Sequence, residues 1–221
     1  MSSASRQRRR PAVHKGRVLR CDTRFEKEAQ AAGHAVVAGV DEVGRGALCG
    51  PVVAAAVVLG DGFETDGLDD SKRLTRRQRE RLAARVRERA RAWAIGLAEV
   101  GEVDRLNVLR ATHLAMRRAV EGLRTAPDLL LVDALTIPGL AVPQQAIVKG
   151  DARSVSIAAA SIVAKVTRDA LMRELDRLHP GYGLARNMGY ASEDHRSAIR
   201  RLGPSSIHRR SFQCNQPWLF S

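Results

Sequence analysis

Two near-continuous apolar runs, residues 35–43 and 52–59, constrain this chain most, because each reads as a strand buried on both faces. Val36, Val37, Val40 and Val43 give the first its β-branched character. Yet Asp41 and Glu42 stand inside that run, and two acids at a valine-rich strand end are costly without a partner. Adjacent strand residues point to opposite faces, so both reach one site only through a twist, a bulge, or a backbone carbonyl from Glu42.

The rest of the chain alternates helical and strand patterns. Helices are expected over residues 22–33, 74–92, 103–123, 155–178 and 192–202, and further strands over 93–100, 128–133 and 144–148. The strongest helix carries Val155, Ala158, Ile162, Val166 and Ala170 at three- or four-residue spacing, with Pro180 behind it. This order specifies an α/β domain: a mixed central sheet flanked by helices, with a helical C-terminal extension over residues 178–221. Residues 1–34 are set apart as a basic leader, partly disordered, and 35–221 as the catalytic domain.

Asp133 follows the Leu129–Val132 run, and Asp151 follows residues 144–148 at the mouth of the long helix. Three strand ends thus deliver four acids, Asp41, Glu42, Asp133 and Asp151, where open α/β sheets gather their chemistry. Taken singly, Asp151 also suits a helix cap and Asp133 a turn. Converging, they would repel one another unless cations intervened, and all-oxygen donors select Mg2+ or Mn2+. Two such ions are the usual apparatus for attack on a phosphodiester.

Charge points the same way. Lys and Arg outnumber Asp and Glu by 37 to 24, a net +13 with pI near 11.0, which fits a polyanionic partner. Residues 1–20 hold seven of the basic residues and no acid, so the body is only moderately basic. No apolar run is long enough to span a bilayer, and no signal-peptide pattern follows the leader. Cys21, Cys49 and Cys214 make neither a disulfide framework nor a zinc pattern, so a reducing, cytoplasmic setting is expected.

Gly44, Gly46 and Gly50 come near the dinucleotide fingerprint, but Cys49 stands where its last glycine belongs, and Pro51 with a strand follows instead of a helix. A plain hairpin turn and a close backbone approach to a ligand, with Arg45 forking a phosphate, both remain open.

In sum, Ala38-Gly39-Val40-Asp41-Glu42-Val43-Gly44-Arg45-Gly46, Leu68-Asp69-Asp70-Ser71-Lys72, Asp104–Leu109, Leu130–Asp133, Lys149-Gly150-Asp151 with Ser156–Asp169, Gly189-Tyr190 and His208–Phe212 resemble the bacterial type 2 ribonucleases H, ribonuclease HII. The resemblance spans residues 35–213 and implies a ribonuclease H-like fold. It implies cleavage of RNA in RNA–DNA hybrids and nicking at ribonucleotides embedded in duplex DNA, leaving 3′-hydroxyl and 5′-phosphate ends. By match, the catalytic and metal-binding residues are Asp41, Glu42, Asp133 and Asp151, holding two Mn2+ or Mg2+ ions. Gly44, Arg45 and Gly46 would grip the 2′-hydroxyl and Tyr190 would stack on the junction sugar, with Ser71, Lys72 and Lys165 also at the substrate. A monomer without membrane contact is expected. Met188, Ala47 and Ala134 depart from the family pattern, which has lysine, proline and glycine there. The rival readings are a DNA nuclease of the same fold, a binding module without catalysis and, last, a nicotinamide enzyme. Left open are the metal used in the cell, the role of the leader, the effect of Met188 on affinity, and partners in replication or repair.

Overall fold

The computed structural model describes residues 21–212. Most of the basic leader, Cys214, Trp218 and Phe220 lie outside these residues. Five strands, β1 (Val37–Val43), β2 (Val52–Val58), β3 (Ala92–Ala98), β4 (Leu129–Asp133) and β5 (Gln144–Ile147), form one sheet in the order β3-β2-β1-β4-β5. The first three pair antiparallel, whereas β4 joins β1, and β5 joins β4, in parallel. The helices are α1 (Arg24–Ala31), α2 (Arg76–Arg89), α3 (Val100–Leu106), α4 (Val108–Glu121), α5 (Val155–Leu178), α6 (Leu184–Asn187) and α7 (Glu193–Leu202).

Alternation along β2 divides the core. Val52, Ala54, Ala56 and Val58 pack with Ala111, Ala115, Met116 and Ala119 of α4. Ala55 and Val57 face the other way, onto Ala158, Ala159, Ile162 and Val163 of α5 and onto α2. With a helix layer on each face, β2 is buried throughout, as its unbroken apolar run requires. Gly39 lets α5 approach β1: a Cβ there would come within 2.1 Å of the Ser156 backbone.

Three features differ from the sequence expectation. Residues 103–123 form two helices, because Asn107 adopts φ +71 and caps α4, its side chain accepting from the Leu109 and Arg110 amides. The long helix is buried all round from Val155 to Ala164, since it lies between the sheet, α1 and α2, so one apolar face understated it. Residues 21–34, read with the leader, belong to the packed body: Phe25 and Ala29 of α1 are buried, and Glu26 accepts bonds from Ser154 Oγ (2.6 Å) and the Ser156 amide (3.0 Å). None of the described helices is long and apolar enough to cross a membrane.

Candidate active site

The parallel strands β1, β4 and β5 end at one rim. Asp41 and Glu42 are the fifth and sixth residues of β1, and Val40 pairs with Val132, which sets Asp133 beside Asp41. Asp151 comes four residues after β5, in a single 3-10 turn, Gly150–Ala152. It does not cap the long helix. Ser154 does, accepting from the Ile157 amide. The helix therefore leaves the Asp151 carboxylate available for other work.

The β1–β2 ladder keeps one register from Gly39↔Val57 to Val43↔Val53, so no bulge turns Asp41 and Glu42 to one side. Asp41 shares the face of Ala55, towards α5, where the Ser161 hydroxyl hydrogen-bonds it. By strand alternation Glu42 leaves β1 on the opposite face, yet at the strand end its carboxyl stays close enough for its charge to act on Asp41 and for that of Asp133 to act on it. Its Oε1 accepts from Arg45 Nη1 (3.2 Å), while its Oε2 is buried with no partner. Asp133 Oδ1 accepts from the Gly150 amide (2.7 Å), which ties the end of β4 to the Asp151 turn. Lys72 Nζ stands 3.1 Å from Asp151 Oδ2 and 3.9 Å from Asp70.

The carboxyls bear the marks of crowding. Burial first, then Glu42 and Asp133, push Asp41 well above the carboxylate range. Burial also raises Glu42 against the opposing pull of Arg45. Asp133 is raised by burial and by Asp151, with the Gly150 amide acting against both. The Asp151 bond lifts Lys72 despite partial burial. Such a group binds a cation more readily than it binds nothing.

Of the other expected residues, Tyr190 is 36% exposed, with Lys165 Nζ 5.9 Å and the Arg168 guanidinium 5.5 Å from its ring centre. Lys165 also pairs with Asp169 at 2.7 Å. The Ser71 hydroxyl is buried and bonds Ser161 (3.0 Å), which places it behind Asp41. Gly44 sits at φ +97, where an L side chain is strained, and a Cβ at Gly46 would meet nothing within 4 Å. The turn joins two antiparallel strands, so the dinucleotide fingerprint is absent.

Sequence reasoning passed over Ser161, Asp70, Arg168 and Arg209. It assigned no role to His195 or His208. Both are buried, and with Cys49 they form, among the described residues, the set of three metal-type donors whose atoms lie within 4.8 Å of one another; the four acids are not gathered so closely. The hydrogen bonds account for the imidazoles without a metal. His195 Nδ1 lies 2.9 Å from the Tyr190 carbonyl and so carries a hydrogen. His208 Nδ1 accepts from the Ser205 amide (3.0 Å), so its hydrogen is on Nε2, 3.2 Å from His195 Nε2. The two rings complete each other as neutral groups. The nearby Arg168 and Arg209 guanidiniums, whose charge reaches Cys49, oppose an added cation.

Comparisons with known proteins agree with this fold. The family model described as Ribonuclease HII matches residues 38–215. The chain is 55% identical over 189 residues to Ribonuclease HII of Desulfitobacterium hafniense (strain Y51), covering 86% of this chain and 73% of that one. It is 55% identical over 209 residues to Ribonuclease HII of Myxococcus xanthus, covering 94% and 71%. Among solved structures it resembles ribonuclease H2 of Pyrococcus horikoshii, with a TM-score of 0.68 and 29% identity over 81% of this chain and 95% of that one. The fold is also that of Bst-RNase HIII, solved in complex with Mn2+, with a TM-score of 0.70 and 20% identity over 87% and 71%. With a family model covering most of its length and relatives at this identity, the chain belongs to the ribonuclease HII family and is a metal-dependent endoribonuclease.

Proposed function

We propose that Asp41, Glu42, Asp133 and Asp151 hold two Mn2+ or Mg2+ ions and hydrolyse the RNA strand of RNA–DNA hybrids, and that the same site nicks duplex DNA at a single embedded ribonucleotide. The supporting observation is the electrostatics of the rim: three parallel strand ends supply hard oxygen donors, the buried carboxyls raise one another, and Glu42 Oε2 has no partner. That donor set fits Mg2+ or Mn2+ and suits no softer ion. Bound there, the ions supply an activated water and a counter-charge for the leaving oxygen.

The chain's own residues do the rest. Ser161, backed by Ser71, orients Asp41, and the Gly150 amide orients Asp133. Lys72 offsets charge at Asp151 and is exposed enough to turn to a phosphate. Gly44, Arg45 and Gly46 bring backbone against the 2′-hydroxyl, the group that marks RNA; the open space above Gly46 suits a sugar. Tyr190 stacks on the neighbouring deoxyribose, with Lys165 beside its ring for a phosphate. All four acids come from one chain, so a monomer suffices, and the free Cys21 and Cys49 thiols suit the cytoplasm.

Incubation with a singly ribo-substituted duplex, a continuous hybrid and an all-DNA duplex, with and without Mn2+ or Mg2+, tests this reading. Metal-dependent cuts in the first two, leaving 3′-hydroxyl ends, are expected. Cleavage of the all-DNA duplex would favour a DNA nuclease. Tight binding with no cleavage would leave a binding module.

A further inference from the structure

Two loops flank the catalytic rim: the turn between β1 and β2, and residues 188–190, which end in Tyr190. The Leu48 amide bonds the Gly189 carbonyl (2.7 Å) and joins them. Arg168 of α5 lies beneath both and is fully buried. Its fork donates to the Pro51 carbonyl (Nε, 3.1 Å) and the Cys49 carbonyl (Nη2, 3.1 Å) on one loop, and to the Met188 carbonyl (Nη1, 2.8 Å) on the other. Its guanidinium carbon also lies 5.5 Å from the centre of the Tyr190 ring. Gly44 makes room for it: a Cβ there would come within 2.2 Å of Nε. Arg209 grips the same turn from the far side, through the Arg45 and Gly50 carbonyls.

Taking a guanidinium out of water is costly, and burial accordingly lowers the pKa of Arg168. Directed at three carbonyls in a fixed plane, the fork converts that cost into geometry. A lysine would keep the charge but could not reach both loops and support the ring.

We propose that Arg168 is a positioning residue which sets the spacing between the Gly44–Gly46 backbone and the Tyr190 ring, and so sets the preference for a ribonucleotide followed by DNA over a continuous hybrid. This rests on the roles given above to Gly44–Gly46 and Tyr190.

The test measures kcat and KM in Mn2+ for the singly ribo-substituted duplex and the continuous hybrid, with the parent, Arg168→Lys, Tyr190→Ala and the double variant. A displacement of about 1 Å can cost about a hundredfold, so Arg168→Lys should lower junction kcat/KM by about that factor and hybrid kcat/KM by about tenfold or less. The Mn2+ dependence should not move. If Arg168 acts through the ring, the double variant is no worse at the junction than Tyr190→Ala alone. Equal losses on both substrates, or losses that multiply in the double variant, would reduce Arg168 to a structural role and overturn the proposal. A Tyr190→Ala variant with parental junction cleavage would remove Tyr190 from the site, and the proposal with it. Should Arg168→Lys not fold, Arg168→Gln, which keeps a neutral amide donor, is read in the same cycle.

Discussion

The rim and the loop junction behind it are opposites in charge. At the rim, Asp41, Glu42 and Asp133 lie close enough to raise one another's pKa, and one buried Glu42 oxygen has no partner. At the junction, Arg168 and Arg209 are fully buried, and burial lowers both, Arg209 to about 10. Yet the guanidinium hydrogen bonds are satisfied by backbone carbonyls. At the rim like charges crowd one another, while the junction is complete within the chain. Substitutions at the rim should therefore remove activity and leave folding intact, and substitutions at the junction should cost stability as well as substrate preference.

The largest expected effect breaks that comparison if it fails. Asp41→Asn keeps the shape and removes the charge. Losing several kcal/mol of metal-borne stabilisation should reduce cleavage by about a thousandfold or more, with hybrid binding retained. Thermal unfolding without metal should be unchanged or raised, because one repelling carboxylate is gone. Near-parental turnover would remove Asp41 from the site. At the junction, Arg209→Gln leaves the Arg45 and Gly50 carbonyls short of donors and should cost about 3 kcal/mol in urea unfolding. A loss below about 1 kcal/mol would mean that water or a neighbour replaces the fork.

The same contrast explains what could be read from the chain. The rim is legible because Asp41, Glu42 and Asp133 stand at the ends of near-continuous apolar runs and Asp151 follows a strand at the mouth of α5, whose bounds are those expected. The junction is not. Arg168 sits three residues beyond Lys165 in an amphipathic helix, where a basic residue reads as a solvated one. Only the fold shows that loops 119 and 20 residues away in sequence bring their carbonyls to it. Ser161 was hidden likewise, a small residue in an alanine-rich run whose partner, Ser71, is 90 residues distant. The break at Asn107 was missed because the apolar spacing runs through it, whereas its φ of +71 is a tertiary choice. Residues 21–34 joined the body through Phe25, Ala29 and Glu26, contacts that a short polar helix does not announce.

A smaller effect tests whether the junction's completeness depends on neutral imidazoles. Burial, then His195, lowers His208 to about 4, from an ordinary 6.5. Between those values the unfolded chain takes up a proton that the folded chain refuses, so stability falls as pH drops from about 6.5 towards 4. His208→Gln should flatten that part of the acid limb, at a cost on the order of 1–2 kcal/mol at pH 7 for the lost bonds. Urea unfolding at several pH values measures both. An unchanged slope would show that His208 takes up its proton in the fold as readily as in the unfolded chain, so that the neutral pairing with His195 does not hold.

The smallest expected effect lies back at the rim. Ala134 follows Asp133 directly and is held at φ +53, and Lys149, just before Gly150 and Asp151, is at φ +55. An L residue in the left-handed region is strained by roughly 1–2 kcal/mol, and such strain gathers where a chain must turn to present a functional side chain. The Ala134 amide bonds the Ile147 carbonyl (3.1 Å), which fixes the turn whatever the side chain. Removing the Cβ relieves the strain but also frees the unfolded chain, so Ala134→Gly should raise stability by only about 0.5–1 kcal/mol. A rise in urea midpoint with no change in slope is the expected record. A fall would mean that the left-handed turn after Asp133 is not strained for alanine, and that the rim's demand on the chain is confined to charge.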